Sequence, residues 1–249
     1  MTGKRLWRAL LAPIHDYQHA LDRYRPRLQI RDLALVFVAA AAGWWLYVPI
    51  HEFLHVAGCL LGGGTVTELE LSPVYGAAFL QRFFPWITVG GDYAGRLSGF
   101  DTGGNDLTYL LTVYLPFVLT ILIGVPLLRH PGDPDRSRLG YSIVLGISLP
   151  VALAGFISLP GDFYEIGSII VSRLAALLGA ANPVEYWRSD DLPLLIRQRF
   201  VEGDAGVLDG LIIFTSFLLG ALLAWATYWA GAWWGDWLRQ ARARPAPCP

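Results

Sequence analysis

The chain has 249 residues, of which 54% are hydrophobic and 16% charged. Soluble domains carry about a quarter charged residues, so this balance excludes an ordinary soluble domain and points to a polytopic membrane protein. A net charge of −1 offers no electrostatic footprint for nucleic acid, and no nucleic-acid partner is expected. The two cysteines, Cys59 and Cys248, are far apart and too few for a thiolate zinc site, and no structural disulfide is expected.

Residues 1–31 form a basic arm carrying Lys4, Arg5, Arg8, Arg23, Arg25, Arg27 and Arg31. It reads either as an amphipathic helix on the cytoplasmic membrane surface, with Leu6, Trp7, Leu10 and Leu11 inward, or as a disordered basic tail. No apolar stretch of signal-peptide length precedes Leu33, so insertion is expected to use the first span itself. That span, residues 33–63, exceeds the roughly 20 residues a bilayer needs. Pro49 inside it is expected to kink or split the helix.

A more polar region follows, 64–106, in which the alternation of "TVTELEL" predicts a strand over 65–71 and the glycines predict loop for the rest. A second span at 107–128 is broken by Pro116, a third covers 139–159, and a helix of ambiguous depth follows at 163–181. After a polar segment at 182–206, the last span runs over about 207–231 and continues into "WWGDWLRQ". The fold class expected is all-α integral membrane, with about four to six transmembrane helices and a short extramembrane β-hairpin or loop region after the first span. Its organisation is a cytoplasmic arm, 1–31, and a single polytopic membrane domain, 32–249.

Lys and Arg are dense in the arm and in the 129–138 turn (Arg129, Arg136, Arg138), whereas the longer 64–106 segment has only Arg82 and Arg96. The positive-inside rule therefore expects a cytoplasmic N-terminus, and Arg239, Arg242 and Arg244 favour a cytoplasmic C-terminus. The membrane expected is a bacterial inner membrane.

One stretch of the first span carries chemistry. In "HEFLH", His51 and His55 are four residues apart, which on a helix means about 40° of rotation and the same face. Two such imidazoles can hold one metal ion while Glu52 reaches a water beside it: two ligands, one general base and an open position. Burying three polar groups in an apolar helix without such compensation is costly. A second pair, His15 and His19 in "HDYQH", has the same spacing with Asp16 between, but the arm is polar and the residues are expected to stay in water.

The loop "GGDYAGRLSGFDTGGND" offers Asp92, Asp101 and Asp106 but no phosphate-loop lysine, so no nucleotide site is expected. Trp225, Trp229, Trp233 and Trp237 recur every four residues along the last helix. They read as interfacial anchor and packing, with a docking stripe for partner helices or lipid as the functional alternative. Gly231 and Gly235 beside them form a G-x-x-x-G contact signal.

"HEFLHVAGCLLGGGTV" resembles the intramembrane zinc metalloproteases of the site-2 protease class, in which such a helix meets glycine and runs into a short strand; His51, Glu52, His55, Gly62 and "TVTELEL" carry the likeness. A further similarity is to small membrane zincins in which a later span ends in a Gly-Asp pair, here Gly161 and Asp162. The asparagine-proline form of the third-ligand motif is absent, with Leu159-Pro160 and Gly167 as its echo.

The resemblance implies zinc held by His51, His55 and a carboxylate, Asp162 or alternatively Glu165, with Glu52 as the catalytic base acting on membrane-protein or peptide substrates. It also implies that the glycine-rich loop presents an edge strand to an extended substrate. Span parity agrees, since the exits of the first and third spans lie on one membrane side. Asp162 has another reading, as helix N-cap with Glu165 at N3. Two alternatives to a protease stand: a catalytically silent scaffold or accessory subunit retaining the metal site, and a hydrolase of lipid-linked substrates.

Overall fold

A computed structural model describes Trp7, residues 10–24 and residues 29–243. Lys4, Arg5, Leu6, Arg8, Arg25, Arg27, Arg244 and Cys248, and the side chain of Arg242, lie outside the described residues. In chain order the elements are α1 (Ala12–Tyr24), α2 (Ile30–Leu61), β1 (Thr65–Leu71), α3 (Ala77–Leu80), β2 (Ile87–Val89), β3 (Gly95–Asp101), α4 (Asp106–Tyr114), α5 (Val125–Arg129), α6 (Arg138–Ile157), α7 (Tyr164–Leu177), α8 (Leu192–Ile196) and α9 (Val207–Ala243). Among the described residues four helical stretches are long and apolar enough to cross a membrane: Ile30–Leu61, Asp106–Arg129, Arg138–Leu177 and Val207–Ala241. The protein is a helical membrane protein with one small sheet.

Two prolines behave differently. Pro49 lies inside an uninterrupted α2, so of the kink or split expected there the split does not occur; one missing N–H need not end a 32-residue helix. Pro116 does break the second span, which passes through a 3-10 turn at Leu115–Phe117 and a π turn at Thr120–Gly124 before α5. The Thr120 hydroxyl donates to the Val151 carbonyl at 2.8 Å.

The 163–181 helix, α7, is not separate from the third span. It continues α6 through a π turn at Leu159–Phe163, in which Gly161 leaves helical geometry (φ −108°, ψ −112°).

The sheet has the order β2-β1-β3, with β1 parallel to β2 and antiparallel to β3. The expectation of loop beyond residue 71 therefore needs correction: β2, β3 and the α3 turn occupy it. Glycine hid β3, because its low strand propensity masks the pattern while the structure uses its lack of a side chain. At Gly99 a Cβ would come within 2.6 Å of the Glu68 Cβ, beside the irregular register of β1.

The described residues form two compact units. One takes its residues from 48–117 and 155–224. Its apolar core gathers Tyr164, Trp187, Leu192, Leu195, Ile212 and Ile213, and buried Asp209 accepts from Trp187 Nε1 at 2.9 Å and Asn182 at 3.0 Å. In it α7 runs antiparallel along α4, joining Glu165 to Tyr109 and Arg173 to Asp106. On its other side α7 meets α9 backbone to backbone: a Cβ on Gly167 would lie 3.0 Å from the Gly220 nitrogen, and one on Gly220 2.7 Å from the Phe163 carbonyl carbon.

The other unit draws on 1–47, 118–154 and 225–249. Gly231 and Gly235 let α9 approach α5, where added Cβ atoms would stand 2.8 Å from Val125 Cβ and 3.0 Å from Pro126 Cα, as the G-x-x-x-G spacing suggests. Asp32 pairs with Arg138. Asp16 is not left in water as expected: it accepts from Arg129 at 2.7 Å and from the Tyr228 hydroxyl at 2.8 Å, while Arg129 also reaches Asp236 at 3.0 Å. No neighbouring residue hints at it, because the partners lie more than a hundred residues away.

Candidate metal centre

Helical spacing on α2 stacks His51 over His55, and both are buried together with Glu52. Their Nε2 atoms stand 3.0 Å apart, and the rings meet edge to face at 85°. The π turn that interrupts the third span brings Asp162 to them: Oδ2 lies 3.2 Å from His51 Nε2 and Oδ1 3.7 Å from His55 Nε2. His55 Nδ1 lies 2.9 Å from the Thr112 carbonyl, an acceptor only, so the ring carries its proton there and Nε2 of the neutral ring keeps its lone pair for the shared point. Phe117, fully buried, sets its ring edge against His51 with centroids 5.4 Å apart and itself leans on Phe163 at 4.4 Å.

This donor set fits zinc. Tetrahedral zinc with bonds of about 2.0–2.1 Å needs ligand atoms roughly 3.3 Å apart; the two Nε2 atoms are 3.0 Å apart, and the carboxylate turns Oδ2 to His51 at 3.2 Å and Oδ1 to His55 at 3.7 Å. Two nitrogens and one carboxylate oxygen also make the three-protein-ligand complement of a catalytic site. Glu52 lies alongside, since the ligating atoms of His51, Glu52 and His55 all fall within 4.8 Å of one another.

The two carboxylates weighed for third ligand sit differently. Asp162 faces both imidazoles and does not cap a helix, since the N-cap of α7 is Phe163, without a side-chain capping bond. Glu165, buried, accepts the Tyr109 hydroxyl at 2.5 Å.

The centre opens on a cavity of about 560 Å³. Glu52, His55 and Asp162 form one wall, β3 from Gly95 to Ser98 with Phe100 a second, and Tyr109, Glu165 and Arg188–Asp190 the rest. β3 is an edge strand, its ladder partner being β1. Gly95 is required where it stands, because a Cβ there would run into the Glu52 side chain, 2.7 Å from its Cδ.

Ion pairs brace the opposite wall. Arg96 binds Asp190 at 2.6 Å, and Arg188 binds Asp106 at 2.9 Å and Ser172 at 3.1 Å with its guanidinium 5.8 Å from the Tyr109 ring centre. The Tyr93 hydroxyl donates to Asp191 at 2.7 Å, and this bond, with some burial, raises its pKa.

Sequence reasoning missed Arg96, Tyr109, Arg188 and Asp190. The only local signal for the last two was a charged segment, 182–206, between apolar ones.

The remaining candidates lie elsewhere. Cys59 is a free, buried thiol beside the Thr65 carbonyl. His15 and His19 lie on α1, where Asp16 is engaged by Arg129 and Tyr228. Of the tryptophan stripe, Trp229, Trp233 and Trp237 are exposed, Trp225 and Trp229 meet with centroids 6.2 Å apart, and Trp237 stacks on Trp234. Comparison with protein-family models, with curated proteins and with solved structures finds no match.

Proposed function

We propose that this protein is a membrane-embedded zinc metalloprotease. The observation that supports this reading best is the convergence of His51 Nε2, His55 Nε2 and the Asp162 carboxylate on one point, with Glu52 beside it at the mouth of a cavity. Zinc in such a site supplies Lewis acidity and brings the pKa of a water toward about 7. Glu52 takes the proton of the water that attacks the substrate carbonyl and hands it to the leaving amine. β3 offers unpaired backbone groups along which an extended substrate segment can add as a strand, so a helical substrate must unwind locally to reach Glu52. Leu97, Phe100 and Val113 on the cavity wall help exclude water from the reacting bond.

The membrane in this proposal is a bacterial inner membrane with the N-terminus cytoplasmic, on the Lys/Arg distribution. On this reading all four candidate spans cross, which has the 129–138 turn and the end of α9 on the cytoplasmic side as well. A reporter active only in the cytoplasm should work when fused after Arg136 and stay silent when fused after Gly103; the reverse pattern inverts the orientation.

The decisive experiment pairs metal analysis with turnover. Purified protein should hold about one zinc per chain, and Glu52→Gln should keep that zinc while cleaving no membrane-protein or peptide substrate. Full cleavage by Glu52→Gln would remove Glu52 from the chemistry. Zinc in a wild-type protein that cleaves nothing would favour the reading of a silent scaffold, docked through the exposed Trp229, Trp233 and Trp237 face.

A further inference from the structure

A second cavity, of about 350 Å³, lies between α5 with its preceding π turn and the end of α9. Leu122, Ile123, Pro126, Leu127 and Leu238 make its walls apolar, and Gly235, where α9 comes against Pro126, completes them. Its rim is different: His130 and Arg239 stand there. His130 is held by Asp236 at 3.2 Å. Arg239 is exposed and, among the described residues, takes part in no ion pair or hydrogen bond.

The position matters as much as the lining. The candidate spans end at Arg129 and Ala241, so the cationic rim falls where both apolar helices run out. Trp237, stacked on Trp234 with centroids 5.0 Å apart and half exposed, marks the same level of α9, as interfacial tryptophans do. An apolar groove within the span, closed at the water-facing end by a free guanidinium, matches one molecule: an anionic phospholipid, acyl chain in the groove and phosphate on the arginine.

We propose that this groove is a binding site for an anionic phospholipid, with Arg239 as the headgroup contact and Leu122, Ile123 and Leu127 as the acyl-chain contacts. The site is independent of the metal centre, so it stands or falls apart from the protease reading. Arginine presents a planar fork to phosphate oxygens, whereas His130, already engaged by Asp236, serves as a wall.

The test is native mass spectrometry of the full-length protein in detergent, titrated with phosphatidylglycerol or with phosphatidylcholine of the same chains. Wild-type protein should bind the anionic lipid about fivefold more tightly, the increment of one interfacial cation. Arg239→Ala should bind both lipids equally, Arg239→Lys should regain most of the preference, and Ile123→Trp, which fills the groove from an exposed position, should weaken both. Undiminished preference in Arg239→Ala overturns the headgroup assignment. A preference lost in Arg239→Ala but lipid binding untouched in Ile123→Trp overturns the groove and leaves only a surface charge.

Discussion

Two stretches of this chain share one spacing, a histidine, an acid and a second histidine four residues after the first: His15, Asp16 and His19 in α1, and His51, Glu52 and His55 in α2. In α1 the acid is the engaged member, taken by Arg129 and Tyr228, while His19 is exposed. In α2 both histidines are buried, and a carboxylate from 111 residues away faces them. In the first stretch a guanidinium neutralises the part-buried Asp16 charge and nothing further is needed. In the second, two imidazole nitrogens 3.0 Å apart and a carboxylate 3.2 Å from one of them gather at one point, a donor set suited to a metal ion. The spacing alone does not make a centre; what the rest of the fold delivers to it does.

The comparison breaks most sharply on zinc content. His51→Ala, His55→Ala and Asp162→Ala should each lose essentially all bound zinc, whereas His15→Ala and His19→Ala should retain it, as read by elemental analysis; zinc loss from the α1 variants would make the two stretches alike. Next in size, Gly95→Ala pushes a methyl into Glu52 and should lower turnover by about 10–100-fold with zinc retained, because misplacing a reacting group by about an ångström costs that much. Glu165→Ala should weaken zinc by about 10–100-fold at most, since Glu165 bonds Tyr109 beside the centre; total loss of zinc would make it the third ligand in place of Asp162.

Arg129→Met removes the cation shared by Asp16 and Asp236, which keep Tyr228 and His130, and should destabilise the folded protein by about 1–3 kcal/mol, seen as a lower melting temperature in detergent, with zinc unchanged. The smallest effect is on pH. Burial, aided by the Arg239 charge, lowers the pKa of His130 despite Asp236. The folded protein therefore holds fewer protons than the unfolded one as pH falls below 6.5, the ordinary histidine value, and stability declines there. His130→Gln should flatten that decline slightly.

Local pattern made the spans and the α2 histidines legible, because hydrophobic runs and i, i+4 faces are properties of neighbouring residues. Asp162 was reachable only through a family likeness and span parity, since nothing near "LPGDF" says what it faces. Tyr109 read as one more aromatic in an apolar run, and only its Glu165 partner, 56 residues on, gives it a role. Arg96 was hidden in a glycine-rich stretch that did not read as strand. Asp16 was misjudged for a similar reason: a polar arm reads as solvated until the residues that cover it are known.

The meeting of Gly167 and Gly220 with backbone opposite them bears on how the cavity works as a machine. Where main chain rests on main chain there are no side-chain rotamers to reshuffle and no intervening layer to compress, so the joint has almost no compliance. The helix that follows Asp162 is thus clamped against α9, while its other flank is tied to α4 through Arg173 and Glu165. Any widening of the cavity must come from elsewhere. The edge strand β3 is held to the 182–191 segment by side-chain pairs alone, Arg96 with Asp190 and the exposed Tyr93 with Asp191, and such joints give more readily than backbone on backbone.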